Sequence, residues 1–141
     1  MDLTDTSPRS QAHVLVVDDE PVVRRFATRV LADAGYSVAT AVDGAEALVL
    51  VRERGEPVRV VVSDIIMPRL NGVQLLEALS VSHPRLPIIL MSGYAPAELA
   101  QRGIAAPCSV LAKPFAPEVL LAEVRRCLES ASPEGPTPNA A

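Results

Sequence analysis

The sequence predicts an α/β domain: one five-stranded parallel, doubly wound sheet flanked by five helices, in a single domain. Two observations carry that prediction. Short β-branched runs alternate strictly with stretches of helical period, which is the signature of repeated βαβ units. The chain of 141 residues is also 49 % apolar but only 3 % aromatic, so its core must be built from Val, Leu, Ile and Ala. That composition suits strands covered on both faces by helices.

The elements follow in order. His13 to Val17 is a short apolar strand. Pro21, suited to the first helical turn, opens a helix with Val23, Phe26, Ala27, Val30, Leu31 and Ala34 on one face, stopped by Gly35. Ser37 to Ala41 is a second strand. Asp43-Gly44-Ala45-Glu46 reads as a capping box for a helix that runs to about Arg54. The third strand spans about Val58 to Ser63. Asn71 caps a helix with Val73, Leu76 and Leu79 inward, ending before Pro84. Pro87 to Met91 is the fourth strand. A short, weak helix is expected from Ala97 to about Arg102, and Ser109 to Ala112 gives the fifth strand. The last helix, Pro117 to about Leu128, turns Leu120, Leu121, Val124 and Leu128 inward.

Residues 1–11 and 130–141 read as flexible tails, because they are polar or proline-rich and lack an apolar period. The domain itself is expected over 12–129. A formal net charge of −4 and the lack of a basic stripe give no reason to expect a nucleic-acid partner. No apolar run is long enough to cross a bilayer and no signal-peptide pattern is visible, so a cytoplasmic protein without a membrane partner is expected. Cys108 and Cys127 read as a cytosolic pair of small buried hydrophobes in preference to a disulfide or a metal site, since no second ligand sits at metal spacing.

Parallel sheets bind ligands beyond the carboxyl ends of their strands. Asp18, Asp19 and Glu20 follow the first strand and Asp64 the third. Ser92-Gly93 follows the fourth, and Lys113-Pro114 the fifth. Each piece alone has an ordinary reading as a cap or a loop. Together, each at the proper end of its own strand, they assemble three aspartates, a hydroxyl and a lysine on one rim. Carboxylates so crowded need neutralising: Lys113 offsets one charge, and an oxygen-only ligand set favours Mg²⁺ for the rest. The first turn, Asp18-Asp19-Glu20-Pro21, lacks the glycines of a nucleotide-binding loop and would repel phosphate unless a metal lay between. Metal-assisted phosphoryl transfer to a protein group is the chemistry that remains.

With VLVVDDEP, VVVSDIIMPRLNG, IILMSGYA and VLAKPF in that order, residues 12 to 129 resemble the response-regulator receiver domain of two-component signalling, whose fold is flavodoxin-like. The resemblance implies that Asp64 is the phosphoacceptor for a sensor histidine kinase or a histidine phosphotransfer protein. It implies that Asp18, Asp19, Asp64 and the Ile66 backbone carbonyl hold Mg²⁺, Asp18 through water. Ser92 and Lys113 would contact the phosphoryl group, and the Lys113–Pro114 bond would be cis. It also implies output through contacts with an unidentified downstream protein, with homodimerisation on the last helices as one option. The chain departs from the best-known members at Val110, where an aromatic switch residue would sit; Tyr94 is an alternative aromatic element, and any movement would centre on Ser92 and the short helix after it. The sequence suits a stand-alone module with no output domain, or a receiver cut from a hybrid histidine kinase. A haloacid-dehalogenase-type phosphohydrolase would place its nucleophile on the first strand in an Asp-x-Asp pattern, which is missing. The expectation is a signalling phosphoacceptor, not a turnover enzyme, limited to self-phosphorylation from small donors and slow loss of its own phosphoryl group.

Overall fold

The computed structural model describes residues 13–53, 57–93 and 107–130. Strands β1 (His13–Val17), β2 (Ser37–Ala41), β3 (Val58–Asp64), β4 (Ile88–Ser92) and β5 (Ser109–Ala112) form one parallel sheet in the order β2-β1-β3-β4-β5. Helix α1 (Pro21–Asp33) joins β1 to β2, and α2 (Gly44–Leu48) follows β2 and runs on into a π-helical turn, Val49–Glu53. Helix α3 (Gly72–Ser82) joins β3 to β4, and α4 (Pro117–Ser130) follows β5. Four helices are thus described where five were expected. The fifth, at 97–102, lies outside the described residues, as does Tyr94.

Alternation along each strand sorts the core into two layers. Val14, Val16, Val60, Val62, Ile89, Met91 and Leu111 face Ala27 and Leu31 of α1 and Leu120, Val124 and Cys127 of α4. Leu15, Val17, Val61, Ile88 and Leu90 face Ala47 and Val51 on one side and Leu75, Leu76 and Leu79 of α3 on the other. Both faces of the central strands are therefore buried, as a parallel sheet requires. Each fully buried aliphatic side chain contributes roughly 1.5–3 kcal/mol, so β1 and β3 are held rigidly.

Local signals explain the element ends. Pro21 sits at the start of α1, where no backbone donor is needed. At its other end Gly35 takes φ 102°, with Gly35 N–H donating to the Ala32 carbonyl (3.0 Å) and Tyr36 N–H to the Leu31 carbonyl (3.1 Å). That is a Schellman motif, and the positive φ is why glycine stands there. Asn71 and Gln74 form a reciprocal capping box on α3. On α2, Asp43 accepts from Glu46 N–H, but the Glu46 carboxylate reaches one residue further back, to Val42 N–H (2.8 Å).

Two expectations are corrected. Phe26 does not enter the core: it is 40 % exposed and packs across the helices on Phe115, with ring centroids 5.9 Å apart. Cys108 and Cys127 are not separate thiols but form a disulfide. The residue before β5 and the inward face of α4 bring their Cα atoms to 6.1 Å, within bonding reach. No helix among the described residues is long and apolar enough to cross a membrane.

Candidate functional site

The carboxyl ends of β1, β3, β4 and β5 meet at one rim. Asp18 is fully buried directly after β1, and its N–H donates to the Ala41 carbonyl at the end of β2. Its Oδ1 accepts from Glu20 N–H at 2.8 Å, so the side chain braces the turn into α1. Arg24, a turn into that helix, donates from Nη1 to the Asp18 backbone carbonyl at 2.7 Å. Glu20 occupies the N-cap position of α1 but makes no side-chain cap. Asp19 is exposed.

Asp64 is the last residue of β3 and is only 8 % exposed. Its backbone and that of the next residue, Ile65, are pinned by three hydrogen bonds. Ser63 Oγ donates to its carbonyl (2.9 Å), Ile65 N–H donates to the Met91 carbonyl (3.1 Å), and Gly72 N–H donates to the Ile65 carbonyl (2.8 Å). Gly72 has to be glycine because a Cβ there would lie 2.3 Å from the Asp64 carbonyl oxygen. Strand end and helix start can approach so closely only without a side chain.

Lys113 reaches in from the end of β5, where its N–H bonds the Ser92 carbonyl (2.9 Å) and its peptide bond to Pro114 is cis. Its Nζ lies 3.3 Å from Asp18 Oδ2 and 3.3 Å from Asp64 Oδ1. One cation thus bridges two buried acids. Burial and the neighbouring Asp18 charge push the Asp64 carboxyl above its ordinary value, against the opposing pull of Lys113. Burial alone would pull the Lys113 ammonium down, yet the charges of Asp64 and Asp18 and their hydrogen bonds leave it above its ordinary value, so it stays charged.

Carboxylate oxygens of Asp18, Asp19 and Asp64 all lie within 4.8 Å of one another. The cluster is a net acid surplus of hard oxygen donors, which fits Mg²⁺ and does not suit a softer metal. Ser92, buried at 3 %, ends β4 beside Ala112. Ile66 follows Asp64 by two residues with its side chain 61 % exposed. Val110 is half-buried in the middle of β5, opposite Leu90, and is not at the rim.

The loop from Ile65 to Leu70 has a second anchorage that the sequence did not announce. Arg69, at φ 67°, donates from Nε to Asp43 Oδ2 at 2.8 Å, and its Nη2 pairs with the same oxygen. Gly44 N–H donates to the Leu70 carbonyl at 3.0 Å, and a Cβ on Gly44 would meet that oxygen at 2.4 Å. The loop after β3 is thereby tied to the start of α2.

Comparison with known proteins settles the family. The sequence model described as the response regulator receiver domain matches residues 14–125. The chain belongs to that family. Among curated relatives, a stretch of the sensor kinase CckA of Brucella abortus (strain 2308) is 41 % identical over 127 residues. The response regulator MprA of Mycobacterium sp. (strain KMS) is 40 % identical over 125 residues. These alignments take in 89 % and 87 % of this chain but only 13 % of the kinase and 54 % of the regulator. In three dimensions the receiver domain superposes on the chemotaxis protein CheY4 of Vibrio cholerae with a TM-score of 0.76 and 34 % identity, covering 83 % of this chain and 98 % of that one. Receiver domains are signalling modules that bind Mg²⁺ at an acidic pocket and partner with histidine kinases, and the described residues of this one include a cluster of three aspartates.

Proposed function

We propose that this receiver domain is a phosphorylation-dependent switch or relay module in which Asp64 accepts a phosphoryl group from a phosphohistidine of a sensor kinase or histidine phosphotransfer protein. The observation that carries the reading is the bridge from Lys113 Nζ to both Asp18 and Asp64 at 3.3 Å, at the open end of a parallel sheet. In the transfer, a carboxylate oxygen of Asp64 attacks phosphorus, the P–N bond to the imidazole breaks, and the electron pair leaves with the histidine ring.

The chain's own groups position and neutralise. Pinning of the β3 end holds Asp64 for in-line approach. Lys113, fixed between two acids before transfer, exchanges one carboxylate for a phosphoryl oxygen after it. Ser92, beside Lys113 at the rim, would donate its hydroxyl to another phosphoryl oxygen. Asp18, Asp19, Asp64 and the Ile66 carbonyl would hold Mg²⁺, which when bound neutralises charge on the transferring oxygens. Output would pass through protein contacts, in the cytoplasm, to a downstream partner or a second copy of the chain. With Val110 in place of an aromatic, movement would have to come from backbone around Ser92. Near-equal similarity to a segment of the sensor kinase CckA and to the response regulator MprA supports a relay and a switch role alike.

Incubation with acetyl phosphate and Mg²⁺, followed by intact mass, tests the reading. A single phosphoryl adduct is expected for the native chain and none for Asp64→Asn. An adduct that survives in Asp64→Asn would sink it.

A further inference from the structure

The Cys108–Cys127 disulfide lies outside the carboxylate rim, and the chemistry of that rim makes no use of it. It joins the residue just before β5 to the inward face of α4, across a sequence separation of 19. The two sulfurs have unequal surroundings. Cys127 is fully buried in the core layer with Val124 and Leu120, whereas Cys108 is half-buried at the entrance to the strand. Beside them stands Arg126, whose Nη2 lies 3.9 Å from Cys127 Sγ and donates to the Cys108 carbonyl at 2.9 Å. The same guanidinium pairs with Glu123, whose Oε1 accepts from Ser109 Oγ at 2.8 Å. Strand and helix are thus clamped by one covalent bond and a small polar network around it.

We propose that Cys108–Cys127 is a reversible redox site, exchanging electrons with a small thiol–disulfide couple of the glutathione type, and that its state sets how firmly β5 is held to α4. The half-buried Cys108 is the sulfur a reductant thiolate reaches. Its attack forms a mixed disulfide on Cys108 and expels Cys127 as thiolate, which takes up a proton. A second reductant thiolate then attacks the reductant sulfur of that mixed disulfide, releasing Cys108 as a thiol. Two reductant thiols are oxidised to one disulfide, and the protein gains two electrons and two protons; oxidised reductant drives the reverse. A guanidinium within reach of the leaving sulfur stabilises its thiolate and so eases the first step. A disulfide in a reducing compartment persists as a cycling, sensing bond more often than as a fixed staple. Once it opens, strand and helix keep the apolar packing of Leu111 with Leu120 and Val124 and the polar contacts of Arg126, Glu123 and Ser109, but lose their covalent tie.

The full-length chain can be equilibrated without denaturant across a series of reduced-to-oxidised glutathione ratios, quenched with acid, and alkylated for intact mass. Two alkylations are expected to appear together as the ratio becomes reducing and to vanish together on reoxidation. The thermal midpoint of the reduced form should fall by about 10 °C, as expected for a released loop of this length. Cys108→Ser should abolish that dependence on redox ratio, and Arg126→Gln should slow native reduction several-fold. The proposal fails if the bond resists reduction throughout the series. It fails equally if both thiols alkylate at every ratio, or if the midpoint is the same in both forms. None of these readouts involves phosphorylation, so the result stands apart from the role of Asp64.

Discussion

Two buried aspartates flank the same loop and behave in opposite ways. Asp43, 2 % exposed, receives hydrogen bonds from the Glu46 N–H and from Arg69, and Asp64, 8 % exposed, faces another carboxylate across a shared lysine. Burial pushes both carboxyls up. At Asp43 the Glu46 and Ala45 N–H groups and the Arg69 guanidinium outweigh burial and hold it below its ordinary value. At Asp64 the Asp18 charge adds to burial, and Lys113 does not make up the difference. A buried acid with all its partners in place is a structural fixture. One left with surplus negative charge beside it is suited to gain a cation.

The largest effect should come from removing the cation that serves the second aspartate. Lys113→Met keeps most of the side-chain volume but leaves Asp18 and Asp64 facing each other. Stability measured by urea titration without divalent cation should drop by about 3 kcal/mol. Saturating Mg²⁺ should recover much of that loss by binding the folded site. An unchanged urea midpoint in the absence of Mg²⁺ would show that the two acids are not a strained pair at all.

A smaller loss is expected at the satisfied aspartate. Asp43→Ala removes the cap of α2 and the partner of Arg69, at a cost of about 2 kcal/mol from the cap. The exposed guanidinium is rehydrated, so its loss adds little. Mg²⁺ should not restore this variant beyond what it adds to the native chain. Cation-specific rescue at Asp43 equal to that of Lys113→Met would erase the distinction between the two acids.

That distinction was only half visible in the sequence. Asp18, Asp64 and Lys113 could be brought together on paper because each directly follows a strand, and parallel strands end on one side. Asp43 was legible as a cap, since capping is a matter of three residues. Its pairing with Arg69 was not, because the partners are 26 residues apart and meet only when the loop after β3 folds over α2. Nothing in Arg69 itself announces a left-handed backbone. The disulfide was hidden for the same reason: whether a strand entrance meets a helix face depends on packing, not on local pattern. Phe26 fell on the apolar stripe of α1 by period, yet its place on that stripe lies at the seam with α4, where Phe115 covers it only in part.

The smallest effect tests the comparison through its sign. Asp64→Asn removes one charge from the surplus, so without Mg²⁺ it should raise stability by about 1 kcal/mol at neutral pH while abolishing phosphorylation. The folded-state carboxyl of Asp64 is raised, so between its unfolded and folded values the native state binds more protons than the unfolded one. Stability therefore falls as pH rises through that interval, and the advantage of Asp64→Asn should open with rising pH and close on acidification. Asp43 is depressed, so the inequality reverses. Its contribution is present above the ordinary carboxylate value and disappears as pH falls through the lower folded value, and the deficit of Asp43→Ala should shrink there. Urea titrations of both variants and the native chain from neutral to acid pH, with chelator present, read both slopes at once. If the Asp64→Asn gap widened on acidification, the carboxyl would be held as a stable anion like that of Asp43, and the surplus charge assigned to the rim would not exist.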